Sequence, residues 1–348
     1  MSKGIVIRLS GTLMLPLVVF FNGYLQDVRM PPVRLMFYNV ENLFDTFDDT
    51  LKEDDEFLPE GLRRWNITRY NRKINALYKT IIAAGEWNPP VLVALCETEN
   101  RKVLEDLVSG TYLSKFNYSI VHEDSPDQRG IDVSLIYRKD LMKIVDFQYW
   151  MPSYPDRNDF STRSVLYARC IILKDTVHVI VNHWPSRRGG VLAAEDQRSE
   201  FAEMVRFKAD SITGINAGGA KIIIMGDFNC TPDSPVIKML TDGKESEASF
   251  FNLSENVSEG SGTYRYMGTW EMIDQVIVSE KLINCNDGLF TDSNMFRIFK
   301  PEFLLKKDPK YPGESPLSTY SGYRYQGGFS DHLPVLLDLK IRHDDQKE

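Results

Sequence analysis

Apolar residues recur along this chain in two rhythms. Short, nearly unbroken apolar runs read as buried strands. They stand at 33–40 (VRLMFYNV), 91–96 (VLVALC) and 221–225, with strand-like segments near 117–122, 131–137, 143–150, 165–173 and 176–182 and others at 273–278 and 333–341. Residues 67–86 instead set Ile74, Leu77, Tyr78, Ile81 and Ile82 at helical spacing, which predicts an amphipathic helix. A second long helix is predicted from Val191 to about Ser211, and a short one near 234–240. Strands interspersed with helices imply layered α/β architecture. Several consecutive strands have no helix between them, so the sheets are expected to be mixed rather than purely parallel. No composition break divides residues 31–348, which read as one domain. Two long loops stand out. Residues 45–65 carry Asp45, Asp48, Asp49, Glu53, Asp54, Asp55 and Glu56 and read as a solvated acidic loop. Residues 302–328 are rich in Pro, Gly, Ser and Tyr, and loops of that length are more often functional than most.

Composition narrows the picture. With 43% apolar and 26% charged residues among 348, the chain can bury a core. Its net charge of -8 argues against a protein that coats nucleic acid, although a local cleft can still be positive. Cys96, Cys170, Cys230 and Cys285 form no CxxC pair, so a zinc knuckle is not expected and the thiols read as buried and inert. At the start, Lys3 and Arg8 precede an apolar stretch from Leu13 to Phe21, too short to span a bilayer but suited to a signal-peptide core. Residues 1–30 are therefore expected to be a signal peptide, which implies a periplasmic or secreted protein. The alternatives are an uncleaved anchor, a mis-assigned start codon or a cytoplasmic protein. The segment FFNGYLQDV shows no small-x-small cleavage pattern, and no cysteine follows to carry a lipid.

The chemistry lies at the ends of the apolar runs. The first ends in Asn39 and Glu41, the second in Glu97, and the strand at 176–182 in Asn182 and His183. The run at 221–225 leads into Asp227 and Asn229, the segment near 273 begins with Asp274, and Asp331 and His332 precede the last strand. Such termini are where α/β folds form ligand crevices. One polar residue there is commonly a cap or turn; six termini with coherent chemistry point to a site. Several hard oxygen donors, no thiolate cluster and two histidines suit magnesium or manganese. Arg187 and Arg188, just beyond His183, are candidates to grip a phosphate.

Seven segments in order carry a specific resemblance: YNVENLFD (38–45), ALCETEN (94–100), GIDVSLIYR (130–138), VNHWPS (181–186), IIIMGDFNCTPDSP (222–235), WEMIDQVIVS (270–279) and FSDHLP (329–334). Together they resemble the endonuclease/exonuclease/phosphatase superfamily, which includes deoxyribonuclease I, abasic-site endonucleases, neutral sphingomyelinases and inositol polyphosphate 5-phosphatases. The resemblance implies a sandwich of two mixed β-sheets flanked by helices. It implies a Mg2+- or Mn2+-dependent hydrolase that cleaves a phosphodiester by water attack, on nucleic acid or a small-molecule or lipid head-group phosphoester. By that resemblance Glu97, Asn39, Glu41 and Asp331 serve the metal, and His332, Asp227, Asp274, His183 and Asn229 are catalytic. Asn182, Arg187 and Arg188 are candidate substrate contacts. His183 and Ser186 stand where abasic-site endonucleases usually carry Tyr and Asn, which weighs against that branch. The alternatives are a phosphomonoesterase acting on inositol phosphates or nucleotides, and a non-catalytic phosphate-binding member. The expected partner is the phosphoester substrate, with no stable protein partner and a monomeric state.

Overall fold

The computed structural model describes residues 31–86, 88–152, 161–186, 190–216, 219–242 and 249–342, without the side chains of 191–193. The expected signal peptide and the arginine pair Arg187 and Arg188 lie outside these residues. In chain order the elements are β1 (Val33–Leu43), α1 (Ile67–Ala84), β2 (Leu92–Thr98), α2 (Arg101–Ser109), β3 (Tyr118–Val121) and β4 (Asp132–Arg138). There follow β5 (Met142–Trp150), β6 (Val165–Ile172), β7 (Asp175–His183), α3 (Val191–Ile215), β8 (Lys221–Asp227) and α4 (Pro235–Thr241). Then come β9 (Phe250–Asn252), β10 (Tyr264–Tyr266), β11 (Thr269–Glu271), β12 (Asp274–Ser279), β13 (Gly288–Phe290) and β14 (Phe296–Ile298). Two small ribbons, β15 (Leu305–Lys307) with β16 (Glu314–Pro316) and β17 (Tyr320–Ser321) with β18 (Arg324–Tyr325), precede β19 (Val335–Arg342).

Two mixed sheets form the centre. One runs β13-β19-β1-β2-β4-β3 with β14 also on β19; the other runs β5-β6-β7-β8-β12-β9. In the first, β1 and β2 are parallel while β19 and β4 are antiparallel to their neighbours. In the second, β7 and β8 are parallel and β12 is antiparallel to β8.

Side-chain alternation assigns the layers. Leu35 and Phe37 of β1, Ala94 and Cys96 of β2, Val177, Val179 and Val181 of β7, and Ile223 and Met225 of β8 share one core between the sheets. The opposite parity, Met36, Tyr38, Val93 and Leu95, packs under α1 and α2. Ile180, Ile222 and Ile224 pack under α3 and α4 against Phe201, Val205 and Ile237. The result is helix, sheet, sheet, helix. The predicted strands and helices fall within a few residues of the observed ones, and all four cysteines are free and buried.

The two loops are more structured than the sequence implies. In 45–65, Phe57 and Trp65 are buried and Asp54 is almost wholly enclosed, accepting from the Asp49 amide at 3.1 Å, while Asp48, Asp49, Glu53 and Asp55 stay exposed. The 302–328 segment is a pair of short ribbons rather than an open loop.

Candidate active site

The same alternation aims the chemistry. Asn39 continues the parity of Leu35 and Phe37, His183 that of Val179 and Val181, Asp227 that of Ile223 and Met225, and Asp274 that of Val276 and Val278. All four therefore face the space between the sheets at one end of the sandwich, and the two sheets meet directly there: Asn39 Nδ2 donates to Asp227 Oδ2 at 3.0 Å.

Glu97 requires a different device. By parity it would follow Leu95 under the helices, but the β1–β2 register breaks between Asn39 and Leu43 and the β2–β4 register between Cys96 and Thr98. A bulge of this kind re-aims one side chain. Glu41, Asn42, Glu97 and Asn229 all carry positive φ, between 51° and 63°, a conformation that non-glycine residues adopt at a cost. The bend lets the Asn42 amide donate to Glu97 Oε2 at 2.9 Å, while Oε1 lies 3.8 Å from His183 Nε2.

His332 is held by Asp274, Nδ1 to Oδ2 at 2.8 Å, and its Nε2 lies 3.9 Å from Asp227 Oδ2. Burial opposes the imidazolium, but Asp274, Asp227 and Asp331 outweigh it and hold the His332 pKa well above the usual histidine range. Its backbone N–H donates to Ser330 Oγ at 3.1 Å, and that hydroxyl donates to Asn39 O at 2.7 Å. His183 behaves oppositely. Burial, then the positive charges of Arg163 and Arg129, push its pKa far down, so its ring is neutral, and its buried Nδ1 has no hydrogen-bond partner among the described residues. Asp227 lies between them, with Oδ2 3.8 Å from His183 Nε2 and Oδ1 accepting from the Asn229 amide at 2.9 Å. Burial, then the Asp274 charge, raises it to about 7. Asp331, one residue from His332, is also raised by burial.

The structure qualifies three sequence assignments. Asn182 has the parity of Ile180 and points away from the site. Its Oδ1 accepts from the Trp184 indole at 3.0 Å, and it is buried beside Gly226, where a Cβ would come within 2.3 Å of Asn182 O. It is a packing residue rather than a substrate contact. Glu41 spends both carboxylate oxygens on the segment before His332, accepting from the Thr319 amide at 2.6 Å and the Tyr320 amide at 3.0 Å. Burial, then the Asp331 charge, lifts its carboxyl to about 7. Glu41 thus clamps the site wall through both carboxylate oxygens. Asn229 Nδ2 donates to Trp184 O at 2.9 Å, so one of its amide hydrogens is committed to the protein.

Two residues not singled out from the sequence complete the site. Lys73, on α1, is buried and donates from Nζ to Thr319 Oγ1 and Phe329 O, both at 2.5 Å. Burial pulls it down to about 8 against the opposing pull of Glu41, Asp331 and Glu97. The signal was present: Lys73 lies on the apolar face with Tyr70, Ile74 and Leu77. Arg163, also buried, donates to Trp184 O at 2.9 Å, the carbonyl that Asn229 shares. It sits in a polar stretch, STRS at 161–164, that carries no pattern.

Lys73→Met removes the only side-chain donor to Phe329 O among the described residues and takes a buried cation away from Glu41 and Asp331. The expected cost is about 2 kcal/mol, read as a melting temperature lower by roughly 3 °C. An unchanged melting temperature would show that Lys73 does not secure this wall.

The family follows from comparison. A family model described as Endonuclease/Exonuclease/phosphatase family matches residues 34–341. The chain belongs to this family. Its fold is shared with an endonuclease/exonuclease/phosphatase from Bacteroides vulgatus at 17% identity and TM-score 0.55, covering 89% of this chain and 99% of that one. A mannosyl-6-phosphatase from Bacteroides thetaiotaomicron is similar at 14% identity and TM-score 0.56, covering 89% and 100%. The human Nocturnin catalytic domain with bound sulfate is similar at 16% identity and TM-score 0.54, covering 89% and 95%. No curated protein matches the sequence. Membership of this family supports a hydrolase.

Proposed function

We propose that the protein is a divalent-metal-dependent phosphoesterase in which water attacks phosphorus directly, with a phosphodiester as substrate. The observation that carries this is the junction of the two sheets, where Asp227 is bonded to Asn39 and flanked by a neutral His183 and a His332 imidazolium held by Asp274. Phosphate-ester hydrolysis needs a proton acceptor for water and fixed donors for the phosphoryl oxygens. Asp227 is the acceptor, its raised pKa matched to neutral pH. His332 Nε2–H and the uncommitted Asn229 amide hydrogen are the donors. Asp274 fixes the His332 tautomer by holding Nδ1.

The donor set fits a hard divalent cation. Glu97 offers Oε1, with Asp331 and Asn39 beside it, while every cysteine is buried and free. Asp227, Asp274 and His332 also bring ligand-type atoms within 4.8 Å of one another, but the His332–Asp274 bond already commits two of them. Glu97, Asp331 and Asn39 would hold the cation, and Mg2+ or Mn2+ is the expected ion. Bound there, it would offset charge on a phosphoryl oxygen.

A net charge of -8 and a site in which Asn39, His183, Asp227 and His332 are all buried favour a small or head-group phosphoester presented end-on over duplex DNA. The runner-up is a phosphomonoesterase, favoured by the activity named for the B. thetaiotaomicron protein. Purified full chain with Mg2+ or Mn2+ decides between them. The panel is bis-p-nitrophenyl phosphate, p-nitrophenyl phosphate, mannose 6-phosphate, inositol phosphates, sphingomyelin, RNA and plasmid DNA. The expected result is aryl diester cleavage faster than monoester cleavage, with plasmid no better a substrate. Faster monoester release would select the runner-up, and no turnover of any member would leave a phosphate-binding protein.

The ionisations set a pH dependence. Activity needs Asp227 ionised and His332 protonated. kcat/KM should therefore rise with pH through about 7, or lower when a bound cation depresses Asp227, and fall only above neutrality as His332 loses its proton. A profile that falls through pH 6–7 would contradict these roles.

A further inference from the structure

Two basic stretches stand at the catalytic end, beside the acidic segment at 45–60 that joins β1 to α1. Residues 61–85 contain six basic residues, Arg63, Arg64, Arg69, Arg72, Lys73 and Lys79, and no acidic one, in a chain of net charge -8. Residues 315–329 add Arg324, again with no acidic residue. The topology brings both stretches to the catalytic end. β1 and β2 are parallel and α1 links them, so α1 begins at the end where β1 delivers Asn39 and Glu41. The β17–β18 ribbon is fastened to the same end by Glu41 and Lys73.

The two stretches touch. Arg63 Nη1 donates to Gly322 O at 3.1 Å and its guanidinium lies 5.0 Å from the Tyr320 ring, while Arg69 lies 4.4 Å from the Tyr325 ring. Arg72 packs against Gly327 so closely that a Cβ there would come within 2.9 Å of its Cζ. Arg63 and Arg69 are thus committed to holding the ribbon, and Arg63 also pairs with Glu56 at 3.3 Å. Arg64, Arg72 and Arg324 are exposed and have no ion-pair partner among the described residues, and Tyr323, the neighbour of Arg324 in the chain, is 61% exposed with its ring 5.6 Å from the Arg63 guanidinium.

We infer that Arg64, Arg72 and Arg324 form a binding surface for a second phosphate on the substrate, beyond the one that is cleaved. This rests on the proposed phosphoesterase reading and adds to it that the substrate carries at least two phosphates. A protein of net negative charge repels polyanions except where cations are concentrated. Guanidinium groups carried by α1, the turn before it and the ribbon fastened to it can bind phosphate oxygens through paired N–H donors. The second phosphate can belong to a nucleotide or to a small polyol bisphosphate, since the same arginines would take either.

The test reads binding apart from turnover. With excess EDTA, calorimetry compares thymidine 3′,5′-bisphosphate with thymidine 5′-monophosphate, and myo-inositol 1,4-bisphosphate with the 1-monophosphate. Each bisphosphate is expected to bind at least about tenfold more tightly than its monophosphate, with the difference shrinking in high salt. A preference confined to the thymidine pair assigns the source as a nucleotide, with the base on Tyr323. The Arg64→Gln/Arg72→Gln/Arg324→Gln variant should erase the difference. With Mg2+, thymidine 5′-(4-nitrophenyl phosphate) and its 3′-phosphorylated form should differ in KM in the same sense, and the variant should bring the two KM values together. Equal affinities in the unmodified protein, or a preference that survives in the variant, would overturn the surface. Binding preference retained with no turnover of any phosphoester would instead sink the phosphoesterase reading and leave the surface standing.

Discussion

Glu97→Gln is expected to lower turnover on the order of 100-fold or more, with partial recovery as magnesium is raised. The substitution isolates charge from shape. Glu97 reaches the site through a bulge in β2 and a left-handed φ of 63°, and its Oε2 is fixed by the Asn42 amide at 2.9 Å. A glutamine oxygen can accept that same N–H, so the backbone bend persists. What disappears is the anionic charge beside His183 and the hard oxygen a divalent cation requires. The dependence on magnesium should therefore move to higher concentration while thermal stability changes little. A variant with unaltered turnover and unaltered magnesium dependence would remove Glu97 from the metal site.

The second large effect is expected at the His332–Asp274 pair. Asp274→Asn and His332→Ala should each reduce kcat/KM steeply, by about 100-fold or more, and the double variant should be scarcely worse than His332→Ala alone. The reason is that Asp274 works through the ring. Its Oδ2 accepts from Nδ1 at 2.8 Å, which leaves Nε2–H toward Asp227 and keeps the imidazolium charged at neutral pH. An asparagine in its place removes the charge that stabilises the imidazolium and can reverse the tautomer. With the imidazole gone, Asp274 has nothing left to orient. Losses that multiply independently in the double variant would show that the two residues do not form a unit.

Much of this was legible in the sequence because the fold obeys strict alternation. Runs such as VLVALC and the apolar stretch at 221–225 fix strands, and polar residues at their ends mark the site. The same parity, carried one residue further, separates His183 from Asn182: His183 continues Val179 and Val181 inward, and Asn182 continues Ile180 outward. Counting strand ends without parity therefore placed Asn182 wrongly. The position of Glu97 could not be read from alternation, because a bulge breaks the period there. The role of Glu41 was hidden for another reason. It depends on the amides of Thr319 and Tyr320, nearly 280 residues away, and backbone donors leave no mark in sequence. Lys73 was legible in principle, as a charge on an apolar helix face that only a buried polar partner could justify. The small strands β9–β11 and β13–β18 went unseen because each is only two or three residues long and owes its pairing to tertiary context.

The most direct measurement of the central claim is turnover of bis-p-nitrophenyl phosphate by the full chain in 18O-water, under single-turnover conditions, with magnesium and with EDTA. Direct attack of metal-assisted water on phosphorus predicts one 18O atom in the p-nitrophenyl phosphate released, none in the p-nitrophenol, and loss of the reaction in EDTA that added magnesium or manganese restores. Product formed at an equal rate in EDTA, or p-nitrophenyl phosphate released without label, would contradict the account.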